Sequence, residues 1–149
     1  MPDYPPLSTQ VIGQTESALG AILEPLLART GVTFHQWLVL TVTAASGASI
    51  DHGQLIARIS DARKLDGARV ETAIAELTTA GLVTADGPVT LTDAGRTRYH
   101  AIRGALEEIT ARLFDLPPED LATAGRVLSI VTSRANALLA GQQASARAV

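Results

Sequence analysis

The stretch QLIARISDARKLDGARVETAIAELTTAGLVTADGPVTLTDAGR, from Gln54 to Arg96, decides the fold. Leu55, Ile56 and Ile59 recur at helical spacing, and Asp51 with Gln54 three residues on has the form of a capping box at the start of that helix. Asp66-Gly67 opens a second helix, in which Val70, Ala73, Ile74 and Leu77 share one face while Arg69, Thr72, Ala75 and Glu76 turn outward. Gly81 ends it as a left-handed cap. Leu82 to Ala85 and Val89 to Leu91 can then pair across Asp86-Gly87, a two-residue hairpin signal weakened by Pro88, which has no N–H to donate. Thr92 caps a further helix. Helix, turn, helix, hairpin is the order of a winged helix-turn-helix, which offers one helix to a DNA major groove and a hairpin to the backbone or minor groove beside it.

Outward from that unit the pattern is helical. Met1 to Leu7 is Pro-rich and reads as an arm or a frayed end. A helix beginning near Ser8 carries an apolar stripe from Val11 to Leu27, with Pro25 expected to kink or split it, and Thr30-Gly31 stops it. Thr33 and Gln36 form a capping box for a helix from Trp37 to Ala45, and Ala48 to Ile50 is a candidate short strand. Past the hairpin, Tyr99, Ile102, Leu106, Ile109 and Leu113 alternate steps of three and four, the seam of a coiled-coil-like surface. After the Pro117-Pro118 break, Leu121, Ala124, Leu128, Val131, Ala135 and Leu138 repeat the rhythm up to Gly141, and residues 142–149 read as a flexible tail. Such seams call for a second long helix beside them, so a two-fold dimer is expected, with recognition helices about one DNA turn apart. The alternative is that the seams only cover the winged helix within one chain.

Composition narrows the classes. With 149 residues and 46% hydrophobic content the chain can bury a core as one domain, and 3% aromatic content with abundant Ala and Leu favours close helix packing. The absence of cysteine excludes disulfides, thiolate metal sites and thiol nucleophiles. No signal-peptide pattern and no apolar run fit to span a bilayer are present, so a cytoplasmic protein is expected. A net charge of −3 is unusual for a DNA binder, yet Arg58, Arg63, Lys64 and Arg69 gather around the helix-turn-helix with Arg96 and Arg98 just past the hairpin. Asp61, Asp66, Glu71 and Glu76 dilute that patch. No phosphate loop, nucleophile elbow or paired metal-binding His occurs, which argues against an enzyme, a metal site and a cofactor.

Three strings carry a family resemblance: Gly31-Val32-Thr33-Phe34-His35-Gln36-Trp37-Leu38-Val39-Leu40, Glu76-Leu77-Thr78-Thr79-Ala80-Gly81-Leu82-Val83, and Leu91-Thr92-Asp93-Ala94-Gly95-Arg96. Together, in order and spacing over nearly the whole chain, they resemble the MarR family of transcriptional regulators. The resemblance implies a mainly α fold: a winged helix-turn-helix (33–92) with a short β-hairpin wing, flanked by N- and C-terminal dimerisation helices (8–29 and 93–141), all in a single domain over residues 1–149. It implies a homodimer on a palindromic operator in double-stranded DNA, acting as a repressor that a small lipophilic or phenolic ligand releases. Two departures stand out. About one extra helical turn lies between Ile59 and Val70 (one turn being about 3.6 residues), and the wing, Thr84 to Pro88, is short and carries no cation.

Ala68, Arg69 and Thr72 match the family's base-reading positions, and the planar fork of Arg69 suits guanine O6 and N7. The competing role for Arg69 is an ion pair with Glu76 or Asp66. Arg58, Arg63, Lys64 and Arg96 are phosphate candidates, the alternative being a solvated face. His35, Trp37 and Tyr99 combine an apolar body with a polar tip on the helices that border the family's effector pocket, although a lone Trp is more often simply core. A rival reading of the whole chain is a winged-helix interaction or ligand-sensor module with weak or lost DNA binding.

Overall fold

The computed structural model describes residues 3–148. Among them the elements run α1 (Thr9–Thr30), α2 (Phe34–Ala45), β1 (Ser49–Ile50), α3 (His52–Arg63), α4 (Gly67–Thr79), β2 (Val83–Thr84), β3 (Val89–Leu91), α5 (Asp93–Leu113) and α6 (Pro118–Arg147). Local chemistry sets most of these boundaries. Ser8 Oγ, Thr33 Oγ1, Asp51 Oδ2 and Asp66 Oδ1 accept backbone N–H groups that the first turns of α1, α2, α3 and α4 leave without partners. At α2 the capping box is complete, since Gln36 Oε1 in turn accepts from Thr33 N.

The chain divides into two compact units, residues 1–107 and 108–149. In the first, α2, α3, α4 and the small sheet bury Val39, Leu40, Leu55, Ile59, Leu77 and Val89. The sheet order is β1-β3-β2, antiparallel throughout, with Ser49 and Thr84 both opposite Thr90. The two-residue hairpin reading is corrected by this register. Val83 pairs with Leu91 and Thr84 with Thr90, so residues 85–88 all belong to the connection. Pro88 offers no N–H to a ladder, which keeps the pairing from closing down onto Asp86-Gly87.

Three other expectations change. Pro25 lies inside α1 without splitting it; one missing intrahelical bond does not outweigh a helix tied down at its end by buried Leu26 and Leu27. Residues 142–147, read as a flexible tail, continue α6, which passes Gly141. A single glycine costs a helix only about 1 kcal/mol, and it stands here among good helix formers, Leu138-Leu139-Ala140 and Gln142-Gln143-Ala144. Val149, like Met1 and Pro2 of the Pro-rich arm, lies outside the described residues. The seam of α5 also divides: Tyr99 and Ile102 are buried within the first unit, whereas Leu106 and Ile109 are half-buried and Leu113 is exposed. In the second unit, α6 has no buried residue and leaves Leu128, Val131 and Leu138 open. Among the described residues no helix is long and apolar enough to cross a membrane.

The last fold element that matters for the site is the joint between α4 and α5. Gly81 takes φ 74° after α4, and the Leu82 carbonyl then accepts from Thr92 N at 3.1 Å. Thr92 caps α5 through Gly95 N and donates its own hydroxyl to the Gly81 carbonyl at 2.7 Å. A Cβ on Gly95 would lie 2.0 Å from Leu82 O, so only glycine permits this approach of helix to backbone.

Candidate nucleic-acid interface

The candidate reading helix, α4, buries Val70, Ala73, Ile74 and Leu77 against α2 and α3, which turns Ala68, Arg69, Glu71, Thr72, Ala75 and Glu76 to the surface. Its two carboxylates were the main objection to a role on DNA. Both are engaged by the neighbouring helices. Glu76 Oε2 accepts from Gln36 Nε2 of α2 at 3.0 Å, and Glu71 Oε2 lies 3.1 Å from His52 Nε2 of α3. Arg69, by contrast, has no hydrogen bond to a side chain and no ion pair among the described residues, so the proposed pairing with Glu76 or Asp66 does not occur. Thr72 turns its hydroxyl back to the Ala68 carbonyl at 2.9 Å, and both residues are exposed.

The other cations are dispersed. Arg58 donates to Ser46 Oγ at 3.2 Å, next to the end of α2. Lys64 ends α3 in a left-handed conformation, φ 54°, and lies 3.7 Å from Asp61. Arg63 sits over the Phe34 ring, 5.1 Å from its centre. Arg96 pairs with Asp93 at 3.3 Å, its own side chain about half exposed and the carboxylate fully so, where such a pair contributes little to stability. Arg98 is withdrawn from any surface patch: it donates to the Thr30 carbonyl at 2.6 Å and closes the C-terminus of α1. That contact spans 68 residues, and nothing local in the sequence announces it.

The aromatic candidates divide between two places. Trp37 and Tyr99 are buried and stack with ring centres 5.5 Å apart, inclined by 23°. Tyr99 OH accepts from Arg103 Nη1 at 2.8 Å, while Arg103 Nε reaches Glu107 at 2.8 Å. The Glu107 and Tyr99 bonds push the Arg103 guanidinium further above its ordinary range. A pocket of about 210 Å³ adjoins them, bounded by Ala44, Ala45, Leu91, Arg96, Tyr99 and Arg103. Trp37 does not line it, and half-buried His35 lies instead beside Phe34, at 6.1 Å. Arg103 was not among the sequence candidates, although its place four residues after Tyr99 and before Glu107 puts all three on one helix face. Among the described residues no group of three His, Asp or Glu side chains could hold a metal ion.

The sequence matches no protein-family model and no curated protein. Solved structures do match. Ligand-free NadR superimposes with a TM-score of 0.72 at 21% identity, over 87% of this chain and 99% of NadR. A MarR family transcriptional regulator from Silicibacter pomeroyi gives 0.70 at 18% identity, over 83% of this chain and 86% of that one. The chain has the MarR fold. A Mycobacterium tuberculosis MarR family protein, solved in complex with DNA, gives 0.67 at 20% identity, over 87% of this chain and 98% of that protein. NadR has also been solved with 4-hydroxyphenylacetate, and that form gives 0.67 at 21% identity, over 88% of this chain and 97% of NadR. In the MarR fold of this chain, α2 to β3 form the winged helix, with the long helices α1, α5 and α6 on either side of it in sequence.

Proposed function

We propose that this protein is a homodimeric, sequence-specific DNA-binding transcriptional regulator, a cytoplasmic repressor released by a small lipophilic or phenolic ligand, and not an enzyme. The observation that carries the reading is the state of α4: Glu71 and Glu76 are tied to α3 and α2, while Arg69 stands unpaired on the outward face. Arg69 reads guanine through its two parallel donors, Ala68 and the Thr72 methyl meet thymine methyls beside it, and Arg58, Lys64 and Arg96 contact phosphates. Arg63 joins the phosphate contacts only by giving up the Phe34 ring, so it contributes least. The DNA complex of the M. tuberculosis relative supports a DNA role, and NadR with 4-hydroxyphenylacetate supports an effector. The apolar faces left open on the end of α5 and along α6 support a dimer whose two α4 helices address a palindromic operator. The effector binds in the pocket beside Tyr99, whose wall includes neither Trp37 nor His35, and biases the dimer between states that do or do not match the operator spacing.

The test is anisotropy of labelled DNA from the region upstream of the coding sequence, in a salt series, with scrambled DNA as control. Wild-type protein is expected to prefer one palindrome with salt-dependent affinity, and Arg69→Ala to lose roughly 5- to 150-fold, the range for a bidentate base contact, with relaxed sequence preference. Equal affinity for both DNAs, unaltered by Arg69→Ala, would refute the reading. The second reading, an interaction or ligand-sensing module with weak DNA binding, draws on the wing: residues 84–88 carry Asp86 and no cation to enter a minor groove.

A further inference from the structure

Glu71 lies on α4 one turn after Ala68 and next to Thr72, at the border of the face that Ala68, Arg69 and Thr72 present to DNA. A carboxylate there meets the negative potential of the phosphates. One group answers it: Glu71 Oε2 lies 3.1 Å from Nε2 of His52, the first residue of α3, and has no other side-chain partner among the described residues. That answer depends on a proton. A neutral imidazole can donate one N–H to the carboxylate but leaves the pair with a net negative charge, whereas an imidazolium makes a charge-assisted bond and brings the pair to neutrality. Histidine is the side chain that ordinarily changes charge between about pH 5 and about pH 8. Neither partner is sealed from solvent, since the two side chains are 34% and 55% exposed.

The other charges on the elements around the ring are engaged elsewhere or stand apart from it. α3 packs against α2 and α4. The one ionisable side chain of α2 is His35, which lies beside Phe34. On α4, Glu76 is held by Gln36, and Arg69 makes no ion pair among the described residues. On α3 itself, Asp51 precedes the ring and accepts from Gln54 N, and Arg58 donates to Ser46. Asp61, Arg63 and Lys64 come at the opposite end of that helix. The strands β1 and β3 carry no ionisable group. Glu71 is thus the charge that the imidazole holds in contact.

We propose that His52 and Glu71 form a proton-operated switch on DNA affinity. With His52 protonated the pair is neutral, and α4 meets the major groove without a repelling carboxylate. With His52 neutral the charge of Glu71 returns and the complex loosens. By linkage the converse holds: DNA brings negative potential to the pair and so draws a proton onto His52 as it binds. The switch rests on the DNA-binding reading and needs neither the effector nor the pocket beside Tyr99.

Two measurements on the full chain test it, with the upstream palindrome as the DNA. The first is anisotropy at about pH 8 and about pH 5.5, either side of the histidine range. Wild-type affinity should rise roughly 5- to 20-fold on acidification, the lower part of the range for coupled sites. The slope of log affinity against log salt should steepen by about 0.9 per subunit for one unit of charge gained. His52→Gln keeps an N–H donor for Glu71 but has no proton to gain, so its affinity should be the same at both pH values. Glu71→Gln, lacking the charge, should bind at about pH 8 about as tightly as wild type does at about pH 5.5. The second measurement is calorimetry in buffers of different ionisation enthalpy. Wild type should take up protons on binding near neutral pH and His52→Gln none; should that variant fail to fold, Glu71→Gln and the wild-type proton count decide. A specific complex of equal affinity at both pH values, a His52→Gln complex with the wild-type response, or a Glu71→Gln chain no tighter than wild type at the higher pH would each overturn the switch and leave the DNA-binding reading standing. No preference for the palindrome at either pH would overturn that reading, and the switch with it.

Discussion

Replacing Gly95 by Ala should destabilise the protein, although Ala is the better helix former. In a free helix the exchange gains about 1 kcal/mol. Here the new Cβ would stand 2.0 Å from Leu82 O and 3.0 Å from Leu82 C, against the 3.3 to 3.6 Å, roughly, at which a carbon and a carbonyl oxygen normally meet. The neighbouring atom is backbone, so no rotamer change relieves the clash; the first turn of α5 must move away by more than about 1 Å. That movement strains or breaks the Thr92 N to Leu82 O bond of 3.1 Å and the Thr92 hydroxyl bond to Gly81 O of 2.7 Å. Overpacking of about 1–3 kcal/mol, plus about 1 kcal/mol for each weakened bond, less the helix gain, leaves a net loss of about 2–4 kcal/mol. For a chain of this length that lowers Tm by roughly 6–12 °C. Thermal unfolding followed by circular dichroism at one fixed protein concentration measures it, the fixed concentration being needed if the native state is a dimer. Gly104→Ala is the control: it lies on the same helix with nothing within 4 Å of its Cβ, and should gain up to about 1 kcal/mol. If Gly95→Ala raised Tm as Gly104→Ala does, the close approach would be no constraint and the reasoning would fail.

Other substitutions probe other links in the argument. Ala48 holds φ 68°, a left-handed conformation costly to a residue with a Cβ, so Ala48→Gly should stabilise by about 0.5–1 kcal/mol; an unchanged or lower Tm would contradict the assigned strain. Tyr99→Leu removes the partner stacked on the single Trp and should cost about 1–2 kcal/mol while shifting the emission of Trp37; unaltered fluorescence would place the two rings apart. Arg98→Ala frees the Thr30 carbonyl and should lower stability by about 1.5 kcal/mol, with faster amide exchange in the last turn of α1, whereas a merely exposed Arg98 would leave exchange unchanged.

The resemblance of short strings located the winged helix because each string has a local physical task. Thr33 and Gln36 close a cap, Gly81 supplies a left-handed turn, and Gly95 lets α5 reach the Leu82 carbonyl. The candidate site was less legible. Arg58, Arg63, Lys64, Arg69, Arg96 and Arg98 look alike as a cluster of cations, yet Arg63 covers an aromatic ring, Arg98 closes a helix 68 residues away, and Arg69 faces outward on α4 with no side-chain partner among the described residues. The acidic residues likewise read as an obstacle in the sequence, whereas in the fold Gln36 lies against Glu76 and His52 against Glu71.

By itself the sequence determined the elements: periodic apolar residues, caps within three residues of a helix start, and glycines at left-handed turns act over one turn of chain, so their meaning survives without the rest of the molecule. The tertiary structure alone decided which charges are free. A flexible Arg, Glu or His has many partners within reach, and the difference in energy among exposed pairings is only about 1 kcal/mol. Which one forms therefore depends on the packing of α2, α3 and α4, which places Gln36 beside Glu76 and His52 beside Glu71 and leaves Arg69 open to a ligand.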